Sequence, residues 1–373
     1  IPLEVALFAP DGARVAGPRL VELKEREAEV RFPGVSGPVL LSVNRGFSAP
    51  ILVEPLPDRA ALAALAAHDD DPFARYDALQ QLMLSALLDS IASGSAVGHA
   101  DVAAAVGATL GQRAADPAFV AEAILLPSES SIGDRMDAVD PVAIHAAREA
   151  LRLSLRAACE GALWEAFHDA ETDPFDLSPR AKGLRRLKGV ALSLLMAGDP
   201  DDATAAAFLM FADARGMTER MAALMALSHS NAVERLEALR LFRARHGGDP
   251  ALLDKWFLVQ AASTRTDTEA VVRQLLEDPA FDLTNPNRAR ALLLGFAGNQ
   301  SRFSTPSAFA LVADQIRALD AINPQTAARL ALPLARWKRM VPGLGAQMRR
   351  ELERLSAADL SKDVREIVGN ALG

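Results

Sequence analysis

Thr305-Pro306-Ser307-Ala308-Phe309-Ala310-Leu311-Val312-Ala313-Asp314-Gln315-Ile316-Arg317-Ala318-Leu319-Asp320 decides the fold of most of this chain. The threonine caps, the proline takes the first helical position, and Phe309, Val312, Ile316 and Leu319 recur at three- and four-residue spacing. One apolar stripe of a helix therefore faces a neighbour. The same grammar recurs upstream: Asp-Pro pairs at 71, 116, 140, 173, 199, 249 and 278 each read as an N-cap followed by the residue best tolerated in a first turn. Their irregular spacing and brief loops predict short helices in series, stacked as antiparallel pairs into a superhelix of HEAT type. Residues 57–373 are expected to be all-α.

Before residue 57 the period changes from helical to alternating. Strands are expected at 1–8, 19–23, 29–32 and 39–43, with a turn at Asp11-Gly12. This predicts a small antiparallel β-sandwich over residues 1–56, so thin that a neighbouring domain should cover one of its edges. The fold class read from sequence is thus mainly α: an all-α superhelical domain preceded by a small antiparallel β-sandwich.

Composition excludes several functions. The chain has 373 residues, 50% hydrophobic and 24% charged, with a net charge of -8, enough to bury a large core. An acidic chain offers no basic face for phosphates, so no nucleic-acid partner is expected. The densest basic run, residues 180–188, reads as a solvated or salt-bridged helix face. No apolar run is long enough to span a bilayer, so no membrane partner is expected. A lone cysteine fits a reducing compartment, and the expected location is cytoplasmic.

A catalyst is missing as well. None of the histidines, His68, His99, His145, His168, His229 and His246, lies four residues from another, so no helix presents a zinc-binding pair and no metal site is expected in this chain. Phosphate-binding and nucleophile-elbow motifs are absent, and Gly343-Leu344-Gly345 lacks the third glycine of a dinucleotide loop. Cys159 sits in an Ala/Leu-rich helical run and reads as a small core residue, as Trp256 and Trp337 read as packing anchors.

Two helix starts differ from the rest. Asn285-Pro286-Asn287-Arg288-Ala289-Arg290 and Asn323-Pro324-Gln325, followed by Arg329, put arginine beside an uncharged cap. An asparagine satisfies the free N–H groups without offsetting the positive end of the helix, which leaves Arg290 and Arg329 in an electropositive region suited to an anionic or carbonyl-rich ligand. Asn287 and Arg290 share a face at i and i+3, as Gln325 and Arg329 do at i and i+4. The opposing reading is that both arginines pair with acidic neighbours and Gln325 serves a helix start.

An ordered set of strings carries a family resemblance: Phe47-Ser48-Ala49-Pro50, Asp71-Pro72-Phe73-Ala74-Arg75-Tyr76-Asp77-Ala78, Leu126-Pro127-Ser128, Asp140-Pro141-Val142-Ala143-Ile144, Asp254-Lys255-Trp256-Phe257, the two Asn-Pro starts and Gly295-Phe296-Ala297-Gly298. In that order and spacing the chain resembles the last two domains, small β-sandwich and helical superhelix, of the aminopeptidase N family, and most nearly its bacterial form. These are zinc metallopeptidases that remove residues from peptide N-termini. The resemblance implies a non-catalytic C-terminal portion that caps the active site and shapes the substrate chamber. The upstream catalytic domain of the same polypeptide and peptide substrates would be its partners. It needs no cofactor itself, the one zinc ion belonging to the parent enzyme. It also implies that Gln325 lines the pocket for the substrate's N-terminal side chain, with Arg290 and Arg329 facing the chamber. The sequence departs from the family at Gly46 and in the short stretch 299–306. The alternative is a freestanding helical-repeat scaffold that binds peptide or protein on its concave face.

Overall fold

A computed structural model describes residues 1–54, 57–173 and 175–373. The chain divides into two compact units, Ile1–Ser128 with Ala147–Gly198, and Glu129–Ala146 with Asp199–Gly373. The domain boundary expected after residue 56 falls at a position outside the described residues.

In the first unit, strands β1 (Pro2–Phe8), β2 (Arg14–Glu22) and β3 (Leu40–Val43) form one antiparallel sheet in the order β2-β1-β3. Leu3, Val5 and Ala49 make its small core, with Val21, Leu23, Phe32, Val43 and Ile51 packed around them. The Asp11-Gly12 turn forms as read: Ala13 N donates to Asp11 Oδ1 at 3.0 Å and Gly12 N to Ala9 O at 2.9 Å. At Gly17, φ is +87° and a Cβ would lie 2.8 Å from Val5 O, so only glycine fits where β2 shifts its register against β1.

The strand expected at 29–32 does not form, and β2 begins at Arg14 rather than at residue 19. Phe32 still packs on the sheet, under the Arg19 guanidinium. The backbone beside it finds a side chain instead of a ladder partner, Arg19 Nη1 donating to Arg31 O at 3.1 Å.

Helices then follow as the caps dictate. Asp58, Asp71, Asp116 and Ser178 accept from the first-turn N–H groups of Arg59–His68, Pro72–Ser93, Pro117–Ala123 and Pro179–Leu195. Leu82, Met83 and Leu87 of Pro72–Ser93 and Val102, Val106 and Leu110 of the helix His99–Leu110 are fully buried. The basic run at 180–188 is only partly the solvated face expected. Arg186 pairs with exposed Glu122, but Arg185 is 6% exposed and donates to Thr172 Oγ1 and the carbonyls of Asp173 and Asp176. Its charge is spent on a loop that precedes the helix. Cys159 is buried and donates to Ala103 O, and burial raises its thiol pKa.

The second unit carries the stripe that opened the reading. Helix Pro306–Asp320 is capped by Thr305, and Phe309, Val312, Ile316 and Leu319 are each at most 1% exposed. Asp140 and Asp249 cap their helices as expected. Asp199 and Asp278 do not. Asp199 takes a left-handed backbone at φ +54° and its carboxylate accepts from Asn231, 32 residues away, while the helix Asp201–Asp213 starts without a side-chain cap. Asp278 accepts two bonds from Arg243, at 2.5 and 2.7 Å, in a turn that starts no helix. In each case a non-local partner takes the carboxylate. For the pair at 173, residue 174 lies outside the described residues. Trp256 donates to Leu239 O and Trp337 to Ala371 O, as packing anchors should. The unit is closed by a parallel bridge in which Val139 N donates to Arg339 O at 2.7 Å and Val341 N to Val139 O at 3.0 Å. Among the described residues no helix is long and apolar enough to cross a membrane.

Candidate functional site

Both Asn-Pro starts are helix N-termini of the kind the sequence implies. Asn285 Oδ1 accepts from Asn287 N and Arg288 N, Asn323 Oδ1 accepts from Thr326 N at 3.0 Å, and neither first turn carries an acidic side chain. They continue differently. Helix Pro324–Ala335 runs on through Pro333, whereas Pro286–Ala289 passes into a π turn, Arg290–Leu294, before Gly295–Gly298. A π turn adds a residue to the helical path and recurs at functional positions.

The three arginines of these starts have separate fates. Arg288 is buried: its Nε donates to Asp254 Oδ1 at 2.6 Å, its Nη1 donates to Ala280 O, and its guanidinium lies 5.1 Å from the Phe257 ring centroid. Two of the quoted strings, Asn285-to-Arg290 and Asp254-to-Phe257, are thereby explained as one structural joint. Arg290 is exposed and bonds within its own turn, to Pro286 O at 3.0 Å and to Asn287 Oδ1, with no carboxylate partner among the described residues. Arg329 is exposed and has no hydrogen-bond or ion-pair partner among the described residues, and the same holds for Gln325 one turn before it. Among the described residues, neither exposed arginine has the acidic partner of the opposing reading.

Arg329 stands at an apolar cleft of about 540 Å³, walled by Phe303, Phe309, Leu332, Pro333, Met340 and Met348, with Gln300, Ser304 and Arg336 as its polar groups. Gln325 and Arg290 are not among its lining residues. The π turn that begins at Arg290 packs against the helix that carries Gln325 and Arg329, but no hydrogen bond joins the three side chains. The arrangement can take an apolar body and hold a carboxylate or carbonyl at its mouth through Arg329. Sequence reading missed the cleft itself. Pro141 reaches it because residues 139–141 run beside 339–341, and nothing local signals that pairing. Among the described residues, no group of three or more His, Cys, Asp or Glu side chains is placed to hold a metal ion.

Residues 59–373 match the family described as a domain of unknown function, DUF3458_C, with ARM repeats, and residues 1–55 match its companion described as DUF3458, with an Ig-like fold. The chain belongs to the DUF3458_C family. This DUF3458_C chain is 38% identical to aminopeptidase N of Caulobacter vibrioides over 99% of its length, and 30% identical to aminopeptidase N of Escherichia coli over 87%. It covers 44% and 38% of those relatives, so it spans less than half of the proteins it matches. Aminopeptidase A of Legionella pneumophila, solved in complex with aspartic acid, superposes with a TM-score of 0.88 at 28% identity, covering 100% of this chain and 45% of that one. The aminopeptidase N resemblance and the mainly α fold class, a small antiparallel β unit before helical repeats, are both borne out.

Proposed function

We infer that the chain is the non-catalytic C-terminal portion of a zinc-dependent aminopeptidase, a hydrolase that removes N-terminal residues from peptides. In this reading residues 1–56 and 57–373 are its two domains, it caps the active site and shapes the chamber, and the zinc with its ligands lies elsewhere in the parent polypeptide. The free cysteine agrees with a cytoplasmic setting. The observation that carries the reading is Arg329: among the described residues it has no hydrogen-bond or ion-pair partner, it lines an apolar cleft, and it lies one turn beyond Gln325, which likewise has none. An exposed guanidinium whose donors are not taken up by the protein is free to bind a carboxylate or carbonyl, and the apolar wall beside it would bury the rest of such a ligand.

Each side chain has a stated role. Gln325 borders the pocket for the substrate's N-terminal residue, and Arg290 and Arg329 hold backbone carbonyls or a carboxylate further along the peptide. In the intact enzyme, Gln325→Ala changes the ranking among N-terminal side chains. Arg290→Ala and Arg329→Ala raise KM for a tripeptide more than for a matched aminoacyl amide, by about 1 to 3 kcal/mol per charged hydrogen bond. Equal effects on both substrates together with a lowered Tm would refute the assignment. The 373-residue chain alone neither cleaves aminoacyl chromogenic substrates nor retains zinc on dialysis; chelator-sensitive turnover by it would refute the division of labour.

A further inference from the structure

Resting on the reading of Arg329 as a chamber residue, we propose that the cleft beside it is a specificity site for the C-terminal residue of a peptide, taking an apolar side chain and a free carboxylate. Arg329, Leu332, Pro333 and Arg336 line the cleft and recur at i, i+3, i+4 and i+7. One face of the helix Pro324–Ala335 and its C-cap therefore carries a guanidinium at each end and apolar residues between. Phe303, Phe309, Met340 and Met348 supply apolar wall opposite that face. The volume, about 540 Å³, suits one or two peptide residues rather than a long extended segment.

Charge selects the group that enters. Among the described residues no aspartate or glutamate lines the cleft. Arg336 gives one N–H to Asp134 at 3.3 Å and has no other hydrogen bond among the described residues, so both arginines keep donors free. Two cations beside apolar surface, with no lining anion, favour a carboxylate and disfavour the ammonium of a free amino acid. Two further features call for amide groups next to that carboxylate. Pro333 has no N–H, so the usual helical donor to Arg329 O is missing on the same face. The Gln300 side-chain amide also lines the cleft and has no hydrogen-bond partner among the described residues. A simple apolar acid would satisfy the guanidinium and leave both of these unanswered, whereas a peptide C-terminus meets all three.

The probe is N-acetyl-alanyl-phenylalanine as the free acid, titrated into the 373-residue protein with isotope-labelled methionine methyl groups. Its C-terminal amide, free phenylalanine and 3-phenylpropanoate, which keeps the ring and carboxylate but has no amide, are titrated beside it. The expected result is saturable shifts of the Met340 and Met348 methyl groups, with the amide bound about tenfold more weakly than the acid. Arg329→Ala weakens the acid about tenfold and leaves the amide and Tm unchanged, because amidation and truncation remove the same interaction. A variant that merely loosened the cleft would weaken both. Equal affinity for acid and amide, tighter binding of free phenylalanine or 3-phenylpropanoate than of the peptide acid, or Met340 and Met348 unshifted up to about 10 mM would overturn the proposal. The chamber role and the C-terminal site fail separately. If Arg329→Ala raises KM for the tripeptide over the aminoacyl amide in the intact enzyme while acid and amide bind this cleft equally, the chamber role stands and the C-terminal site falls. Selective binding of the acid with no such KM difference would instead sink the chamber role.

Discussion

Replacing Arg288 with alanine tests whether the two Asn-Pro starts separate architecture from binding as the structure divides them. Arg288 and Asp254 have side chains 7% and 18% exposed, joined by a charge-assisted bond of 2.6 Å. Removal strips Asp254 of its counterion, leaves Ala280 O without a donor and takes the guanidinium off the Phe257 ring. Breaking one side of a fully buried pair costs about 3 to 5 kcal/mol. Asp254 retains some access to water and can rehydrate in part, which puts the loss near the lower end, about 3 kcal/mol. Arg290, exposed and bonded within its own turn, and Arg329, exposed and with no partner among the described residues, should each cost under about 0.5 kcal/mol. Urea unfolding followed by tryptophan fluorescence and circular dichroism reads the difference as a shift of midpoint at constant m. Arg288→Ala combined with Asp254→Ala should cost less than the sum of the two, because the second change removes the stranded charge. A loss below about 1 kcal/mol for Arg288→Ala, or an equal loss for Arg329→Ala, would refute this partition.

Two further outcomes are expected. The Asp278 carboxyl is held below its ordinary range, mainly by the hydrogen bonds from Arg243, with burial opposing. A depressed carboxyl contributes stability that is present above the unfolded-state pKa and lost as pH falls through the folded one, so Asp278→Asn should flatten the acid limb of a Tm-against-pH curve and leave wild type ahead at neutral pH. An unchanged acid limb would count against the pair. Gly183 lies where a Cβ would stand 2.8 Å from Ala118 N, backbone against backbone of the helix Pro117–Ala123. Gly183→Ala should therefore destabilise the chain by about 1 to 3 kcal/mol despite alanine's better helix propensity, and a rise in Tm would show that the helices can part.

What was legible in the sequence is what is local. The stripe from Phe309 to Leu319 and the caps at Asp71, Asp116, Thr305, Asn285 and Asn323 depend on neighbours within a turn or two, and all are present as read. The errors lie where a distant group outbids the local one. Asp199 serves Asn231, Asp278 serves Arg243, and Arg185 turns inward to a loop. Residues 29–32 alternate as a strand should, but a strand needs a partner as well as a pattern. At the candidate site, the uncharged caps and the face shared by Gln325 and Arg329 could be read from spacing. The cleft could not, since its wall joins Pro141 to residues beyond 296, and the burial of Arg288 against the exposure of Arg290 depends on the helix Pro250–Ala261.

The bridge between Val139 and Met340 sets an order of events during synthesis. Arg336 and Arg339 reach Asp134, Gly133 and Met136 across 202 to 206 residues of chain. At ribosomal rates of roughly 5 to 20 residues per second, residues 129–146 wait about 10 to 40 s before the segment that completes them leaves the ribosome. During that interval Ile132, Val139 and Ile144, each at most 1% exposed in the finished fold, have no C-terminal partner to cover them. A nascent chain stalled short of residue 339 would hold an apolar seam open to chaperones, while one released at full length would close it.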